Sequence, residues 1–140
     1  TEFSFSFNPE EIIRKYEKGT APLSARIAAV KTLISRGYKV GLRFLPLLPV
    51  ANYENLYREL LRNLRAEIDF SNISSVFIAS LIYNPGDFKQ MQKKNPNSDL
   101  WNLVRQQDSG LVKIDQPVWE HFLQIFAEEL PGVKLYFDYI

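Results

Sequence analysis

Strand-like segments recur along this chain at a regular interval. They start near Phe3, Lys39 and Ser75, about 36 residues apart. No internal sequence repeat is needed to produce that spacing, because a strand, a helix and their connecting loops fill it. Units of this kind make parallel strands joined by right-handed crossovers. The expected fold class is therefore α/β with a mainly parallel sheet. Three or four strands are too few for a closed eight-stranded barrel. The predicted architecture is a partial (half) βα barrel with exposed sheet edges, formed as a single domain over residues 1–140.

The first unit carries most of the unusual residues. Phe3, Phe5 and Phe7 alternate with Ser4 and Ser6, the period of a strand. Asn8-Pro9 stops that strand, since proline cannot donate to a ladder. Pro9 suits the first helical position, with Asn8 as N-cap and Glu10 and Glu11 in the first turn. Ile12, Ile13 and Tyr16 supply an apolar face, and Gly19 ends this short helix. A second helix starts near Pro22, buries Leu23, Ile27, Val30, Leu33 and Ile34, and stops at Gly37. Residues 40–48 form the next strand, with Pro46 and Pro49 at its exit.

Asn52 opens a third helix with Leu56, Leu60, Leu64 and Ile68 on one stripe and Glu54 and Arg58 placed for an i,i+4 ion pair. Residues 76–83 are almost continuously apolar, which predicts a strand covered on both faces. A short helix over 87–94, an amphipathic helix over 117–130 and a last strand over 133–139 follow, while 100–110 has no clear pattern.

Composition removes several functions. Hydrophobic residues at 46% and charged residues at 24% predict a real core and no disorder. Lysine and arginine number 17 against 16 acidic residues, a net charge of +1. Charge therefore does not call for nucleic acid, which stays open as a partner only through a local patch. There is no cysteine, so disulfides, a thiolate nucleophile and a cysteine-held cluster are all excluded from this chain. That usage is compatible with the cytoplasm, and no apolar run of about 18 residues calls for a membrane. His121 is the single histidine and reads as a helix-surface residue, so no metal site is predicted. The N-terminus lacks a methionine and a signal-peptide pattern and starts almost inside a strand, as expected of a piece of a longer protein.

In parallel sheets, ligands gather at the strand C-termini. The candidates there are Asn8, Arg14, Lys15, Gly19, Thr20, Arg43, Asn52, Tyr83 and Asn84. Asn8 is either an N-cap or a ligand contact. Gly19-Thr20 is either a pair of helix caps or a close backbone approach to a ligand. Arg14 and Lys15 either hold an anion or lie on a solvated helix face. Arg43 stands among apolar strand residues. It either points into the barrel, where it needs an anionic partner, or lies outward.

Taken together, these residues resemble a known family. Ser6-Phe7-Asn8, Glu17-Lys18-Gly19-Thr20, Pro22-Leu23-Ser24-Ala25-Arg26-Ile27, Arg36-Gly37-Tyr38 and Pro46-Leu47-Leu48-Pro49 stand in the order seen in the C-terminal half of spore photoproduct lyase-like radical S-adenosylmethionine proteins. Tyr83-Asn84-Pro85 and Asn95-Pro96-Asn97-Ser98 extend the resemblance, which is dense up to about residue 60. It implies a partial βα barrel with S-adenosylmethionine and a [4Fe–4S] cluster at the strand C-termini, and radical chemistry on a substrate such as a nucleic-acid lesion. With the strand-end candidates Gly19, Thr20 and Arg43, the residues it points to make up an expected cofactor-binding set of Ser6, Asn8, Arg14, Gly19, Thr20 and Arg43. Arg14 is the counterpart of a basic residue near the cofactor carboxylate, and Ser6 and Asn8 lie beside the ribose or methionyl part.

The family's cluster cysteines belong to the N-terminal half. This chain alone is therefore expected to bind no cofactor and to be inactive without that half. The other reading is a non-catalytic α/β module that binds a partner or a second copy through its sheet edges.

Overall fold

The computed structural model describes residues 1–139. A four-stranded sheet runs in the order β1 (Glu2–Ser6), β2 (Lys39–Leu47), β3 (Ile73–Ser80), β7 (Leu135–Asp138), and every neighbouring pair is parallel. Its connections contain α1 (Glu10–Tyr16), α2 (Leu23–Ser35), α3 (Tyr53–Glu67), α4 (Pro85–Lys94) and α5 (Gln116–Glu129). The expected half barrel with a mainly parallel sheet is what forms.

The helices cover one face of the sheet. Val40, Leu42 and Phe44 of β2 and Val76 and Ile78 of β3 are buried there. Phe44 meets Phe7 at 6.2 Å and, edge-on, Phe126 of α5 at 5.0 Å. The other face is open. Register places Ser4, Gly41 and Ser75 in one row across it and Ser6, Arg43, Phe77 and Tyr136 in the next.

Strand 76–83 was expected to be covered on both faces. Instead β3 ends at Ser80, and Phe77 and Ala79 are only partly covered because they face the open side. The apolar run continues past a break into β4 (Ile82–Tyr83). That segment belongs to a second, antiparallel sheet of order β4-β6-β5, with β5 at Arg105–Gln106 and β6 at Val112–Lys113. The patternless stretch 100–110 resolves into a 3-10 turn at Asp99–Leu103 followed by this hairpin. Its turn closes through Gln107 N–H to Leu111 O at 2.8 Å, with Gly110 at φ +91°.

At the N-terminal end of the sheet, the Glu2 carboxylate reaches across β2 to β3. It accepts hydrogen bonds from the hydroxyls of Ser74 and Ser75, and from Ser4 beside it. The Ser74 bond is the main cause of a Glu2 pKa below the usual carboxylate range. Gly41 makes room for this latch: a Cβ there would lie 2.7 Å from Glu2 Oε1 and 2.7 Å from Ser75 Oγ.

Helices α3 and α5 are sewn together by ions. Arg62 donates to both Glu129 oxygens, at 3.0 and 2.8 Å, and Arg58 reaches Glu54, Glu128 and Glu129 at 3.2, 2.8 and 3.3 Å. The expected Glu54–Arg58 pair is thus one part of a larger seam. His121 is half-buried in it, with Nδ1 2.6 Å from the Tyr53 hydroxyl. Glu129 is buried, and its hydrogen bonds from Arg62 hold its pKa below the usual value of 4.5. A depressed carboxylate stabilises the fold above its unfolded pKa, and that contribution is lost as pH falls through the folded value. Replacing Glu129 with Gln is expected to cost about 1–3 kcal/mol near neutral pH. Thermal unfolding followed from neutral to acid pH should show that difference shrinking below about pH 4.5.

Candidate functional site

The C-terminal ends of β1 and β2 are joined by one continuous set of buried polar contacts. Asn8 follows β1 and is 1% exposed. Its amide nitrogen donates to Glu17 Oε2 at 3.1 Å, and its Oδ1 accepts from the Tyr57 hydroxyl at 2.8 Å. Tyr57, on α3, accepts in turn from Leu48 N–H at 3.0 Å, just past β2. Complete burial raises the Tyr57 pKa, so the phenol stays protonated and available as a donor.

The other Glu17 oxygen takes a hydrogen bond from Arg26 at 3.1 Å. The Arg26 guanidinium is buried and donates four hydrogen bonds. It donates to Ala21 O at 2.9 Å, to Ser6 O at 2.9 Å and to Thr20 Oγ1 at 2.8 Å. Thr20 Oγ1 donates onward to Glu17 O at 2.6 Å. Gly19 stands between Glu17 and Thr20 at φ +81°, a left-handed conformation that a side chain would strain. A buried charge needs a partner and satisfied hydrogen bonds, and this arrangement supplies both for Glu17 and Arg26.

These contacts revise the local reading of Asn8. It was expected to cap α1, but the helix begins at Glu10 with Pro9 at the cap position and no side-chain cap. The Asn8 amide is instead spent on Glu17 and Tyr57. Asn8, Gly19 and Thr20 therefore brace the rim through their own side chains or backbone. Sequence reading placed Glu17 and Arg26 in the motif without seeing that they pair. It missed Tyr57 because the stripe was drawn through Leu56, whereas α3 buries Tyr57, Leu60, Leu61 and Leu64. Tyr57 lies three and four residues before Leu60 and Leu61, so the same periodicity marks it.

The remaining candidates separate into two places. Ser6 and Arg43 are register partners in the second row of the open face, and both are exposed. The Arg43 guanidinium lies 5.7 Å from the Phe77 ring centroid, and no carboxylate forms an ion pair with it among the described residues. Of the two positions left open for Arg43, the structure selects the one facing the barrel side. Arg14 is exposed on α1 and lines a groove between helices with Glu11, Leu23, Leu56 and Glu59.

Lys15 is bound to Asp99 at 2.5 Å, and Tyr16 donates to the same carboxylate at 2.7 Å, tying α1 to the segment after α4. Asn84 caps α4 by accepting from Asp87 N–H at 2.8 Å. Tyr83 packs among Phe88 and Trp101, with ring centroids 6.0 and 6.3 Å away. Asn52 opens α3 in a left-handed conformation, φ 64°, and accepts from the Asn55 side chain.

Parallel strands with helices on one face and a braced rim at the strand C-termini define one half of a βα barrel. The sequence profile described as spore photoproduct lyase matches residues 1–101, and the chain belongs to that family. It is 35% identical over 68 residues to the spore photoproduct lyase of Bacillus subtilis (strain 168), a match covering 49% of this chain and 20% of that protein. The Clostridium acetobutylicum enzyme is 32% identical over 85 residues, covering 57% of this chain and 25% of the relative.

Among solved structures, a cysteine-to-alanine mutant of spore photoproduct lyase superposes with a TM-score of 0.77 at 19% identity, over 98% of this chain and 44% of that one. A variant solved with bound AdoMet and dinucleoside spore photoproduct superposes at 0.71 and 19% identity, over 99% of this chain and 44% of that one. The matched stretch is thus a quarter or less of these curated relatives' length, and the chain spans less than half of the solved ones. The superposition establishes the half-barrel fold.

The Tyr57 hydroxyl is the link between the two rim loops. Tyr57→Phe keeps the ring but leaves the Leu48 N–H and the Asn8 carbonyl oxygen without that partner. A loss of about 1–3 kcal/mol is expected, read in urea as a lower midpoint at unchanged slope.

Proposed function

We propose that these residues form the C-terminal half of a radical S-adenosylmethionine barrel of the spore photoproduct lyase type, folded as one domain and working in the cytoplasm. Family membership over residues 1–101 is the observation that carries this reading. The composition supports the cytoplasmic assignment, and no helix among the described residues is long and apolar enough to cross a membrane.

The residues present fit one of the family's two implied groups. S-adenosylmethionine carries a carboxylate and ribose hydroxyls. Arg43 offers on the open face a guanidinium with no ion-pair partner among the described residues, and Ser6 a hydroxyl beside it, suited to charge-assisted and neutral hydrogen bonds respectively. Gly19 and Thr20, with Asn8, hold the neighbouring loops in place. Arg14, which the family resemblance would set at the cofactor carboxylate, serves the outer groove in this reading, and Arg43 takes the anion. The [4Fe–4S] cluster does not fit this chain. It contains no cysteine, so thiolates for a cluster must come from elsewhere in an assembled enzyme, and residues 1–140 alone are catalytically silent. When bound, S-adenosylmethionine supplies the adenosyl group from which radical chemistry starts.

The row Arg43, Phe77 and Tyr136 pairs a cation with aromatic faces. This combination suits stacked bases, and so a nucleic-acid lesion as substrate; the solved relative holds a dinucleoside spore photoproduct.

Calorimetric titration of residues 1–140 with S-adenosylmethionine tests the reading. The exposed Arg43 guanidinium and Ser6 hydroxyl reverse the expectation that this chain alone binds no cofactor: binding is expected, weakened about tenfold by Arg43→Ala through loss of one charge-assisted contact and little changed by Arg14→Ala. Under reducing conditions no 5′-deoxyadenosine should form. Absence of binding, or binding indifferent to Arg43, would count against this site.

A further inference from the structure

We infer that Tyr53 is a redox-active tyrosine: it gives one electron to a strong one-electron oxidant, a high-potential metal complex or radical, while its phenolic proton crosses to His121. The geometry sets the direction of that proton. His121 is the single histidine of the chain. Its Nδ1 lies 2.6 Å from the Tyr53 hydroxyl, and its Nε2 lies 3.4 Å from Glu54 Oε2. The ring nitrogen that faces a carboxylate carries the hydrogen, so Nδ1 keeps its lone pair and accepts from the phenol. Burial first, and the Glu54 charge second, push the Tyr53 pKa above the usual phenol value. The proton is therefore in place until the electron leaves.

A phenol that loses an electron becomes a strong acid. With no base beside it, it must hand the proton to water, whereas Tyr53 has an imidazole within one hydrogen bond. The O–H bond breaks and an N–H bond forms at Nδ1. The products are the oxidant reduced by one electron, a neutral phenoxyl radical and an imidazolium. Glu54 Oε2 faces the new positive charge, while Oε1 stays with Arg58 at 3.2 Å. Reduction of the radical returns the proton to oxygen.

Other oxidisable side chains have weaker acceptors. Tyr16 donates to the Asp99 carboxylate and Tyr139 to the Ile114 carbonyl, and both are poorer bases than imidazole. Trp101 gives its indole N–H to Asn95 O. Tyr57 is fully buried and donates to the Asn8 amide oxygen, which takes up no proton near neutral pH. Aromatic rings connect Tyr57 to Tyr53: the Phe122 centroid lies 5.1 Å from the first and 4.8 Å from the second. An electron vacancy at Tyr57, beside the rim, drains outward along these rings and settles at Tyr53. Tyr53 and His121 are partly exposed, so an oxidant in solution also reaches the pair directly. None of this requires S-adenosylmethionine.

The test uses residues 1–140 and a flash-generated tris(bipyridine)ruthenium(III) complex, with persulfate as electron acceptor. A phenoxyl radical should appear in the electron paramagnetic resonance spectrum. Tyr53→Phe keeps the ring and removes the hydroxyl, and should abolish most of the signal formed when oxidant and chain are equimolar. His121→Ala should slow reduction of the ruthenium complex at least about tenfold through loss of a positioned base. Imidazole added to the solution should restore the rate in that variant and leave the Tyr53→Phe chain unaffected, a rescue that a merely structural histidine would not show. On the unaltered chain the reaction should be slower in deuterated water, a readout that stands if His121→Ala does not fold.

A radical that survives Tyr53→Phe at full intensity overturns the proposal. So does a rate indifferent to deuterium, or one that falls in His121→Ala and is not restored by imidazole. S-adenosylmethionine titration reads the functional assignment separately, and its failure would leave the Tyr53–His121 pair in place.

Discussion

The rim of this half barrel depends on one buried ion pair and what hangs from it. Arg26 and Glu17 lie on different segments after β1; the Arg26 side chain is 10% exposed and that of Glu17 24%. Neither charge is tolerable there alone. Through Asn8 and Tyr57 the pair extends to the backbone beyond β2, so the loops of two successive units are positioned together. Buried polar chains of this kind lose more than one contact when one member is removed, because each group orients the next. This coupling gives a physical reason for the motif residues to occur as a set. Asn8, Glu17, Thr20 and Arg26 stand apart in sequence but are parts of one hydrogen-bonded object.

Much of the architecture was legible from residue order. The spacing of strand starts, the alternation of Phe3, Phe5 and Phe7 and the apolar stripe of α2 led to a half barrel with a parallel sheet, as observed. What failed did so for tertiary reasons. The apolar run 76–83 looked like one doubly covered strand, but in a half barrel only Val76 and Ile78 meet helices, and the last two residues turn into another sheet. The hairpin at Arg105–Gln106 and Val112–Lys113 was missed because each strand is only two residues long. Asp108-Ser109-Gly110 between them was its sole local signal.

The candidate site was legible in part. Strand-end position brought Asn8, Gly19, Thr20 and Arg43 into one neighbourhood, and the family resemblance added Ser6. Position along the chain could not tell which side chains turn inward to brace the loops and which stay free. That division depends on Tyr57 and Arg26, whose partners are remote in sequence. The free groups, Ser6 and Arg43, lie on the face away from the helices, the one surface of the sheet that this chain leaves uncovered.

The two ends of β1 are held by different means, and this changes how the strand can come loose. Edge strands ordinarily fray from a terminus, one ladder bond at a time. Here Glu2 is latched over Gly41 to the hydroxyls of Ser74 and Ser75, two strands away, and Ser6 is pinned by Arg26. Peeling from either end must first break side-chain bonds to elements other than β2. The middle of the strand is left unburdened but cannot wander. In mechanical terms β1 is a string tied at both ends, stiff where it would otherwise be the softest part of the sheet.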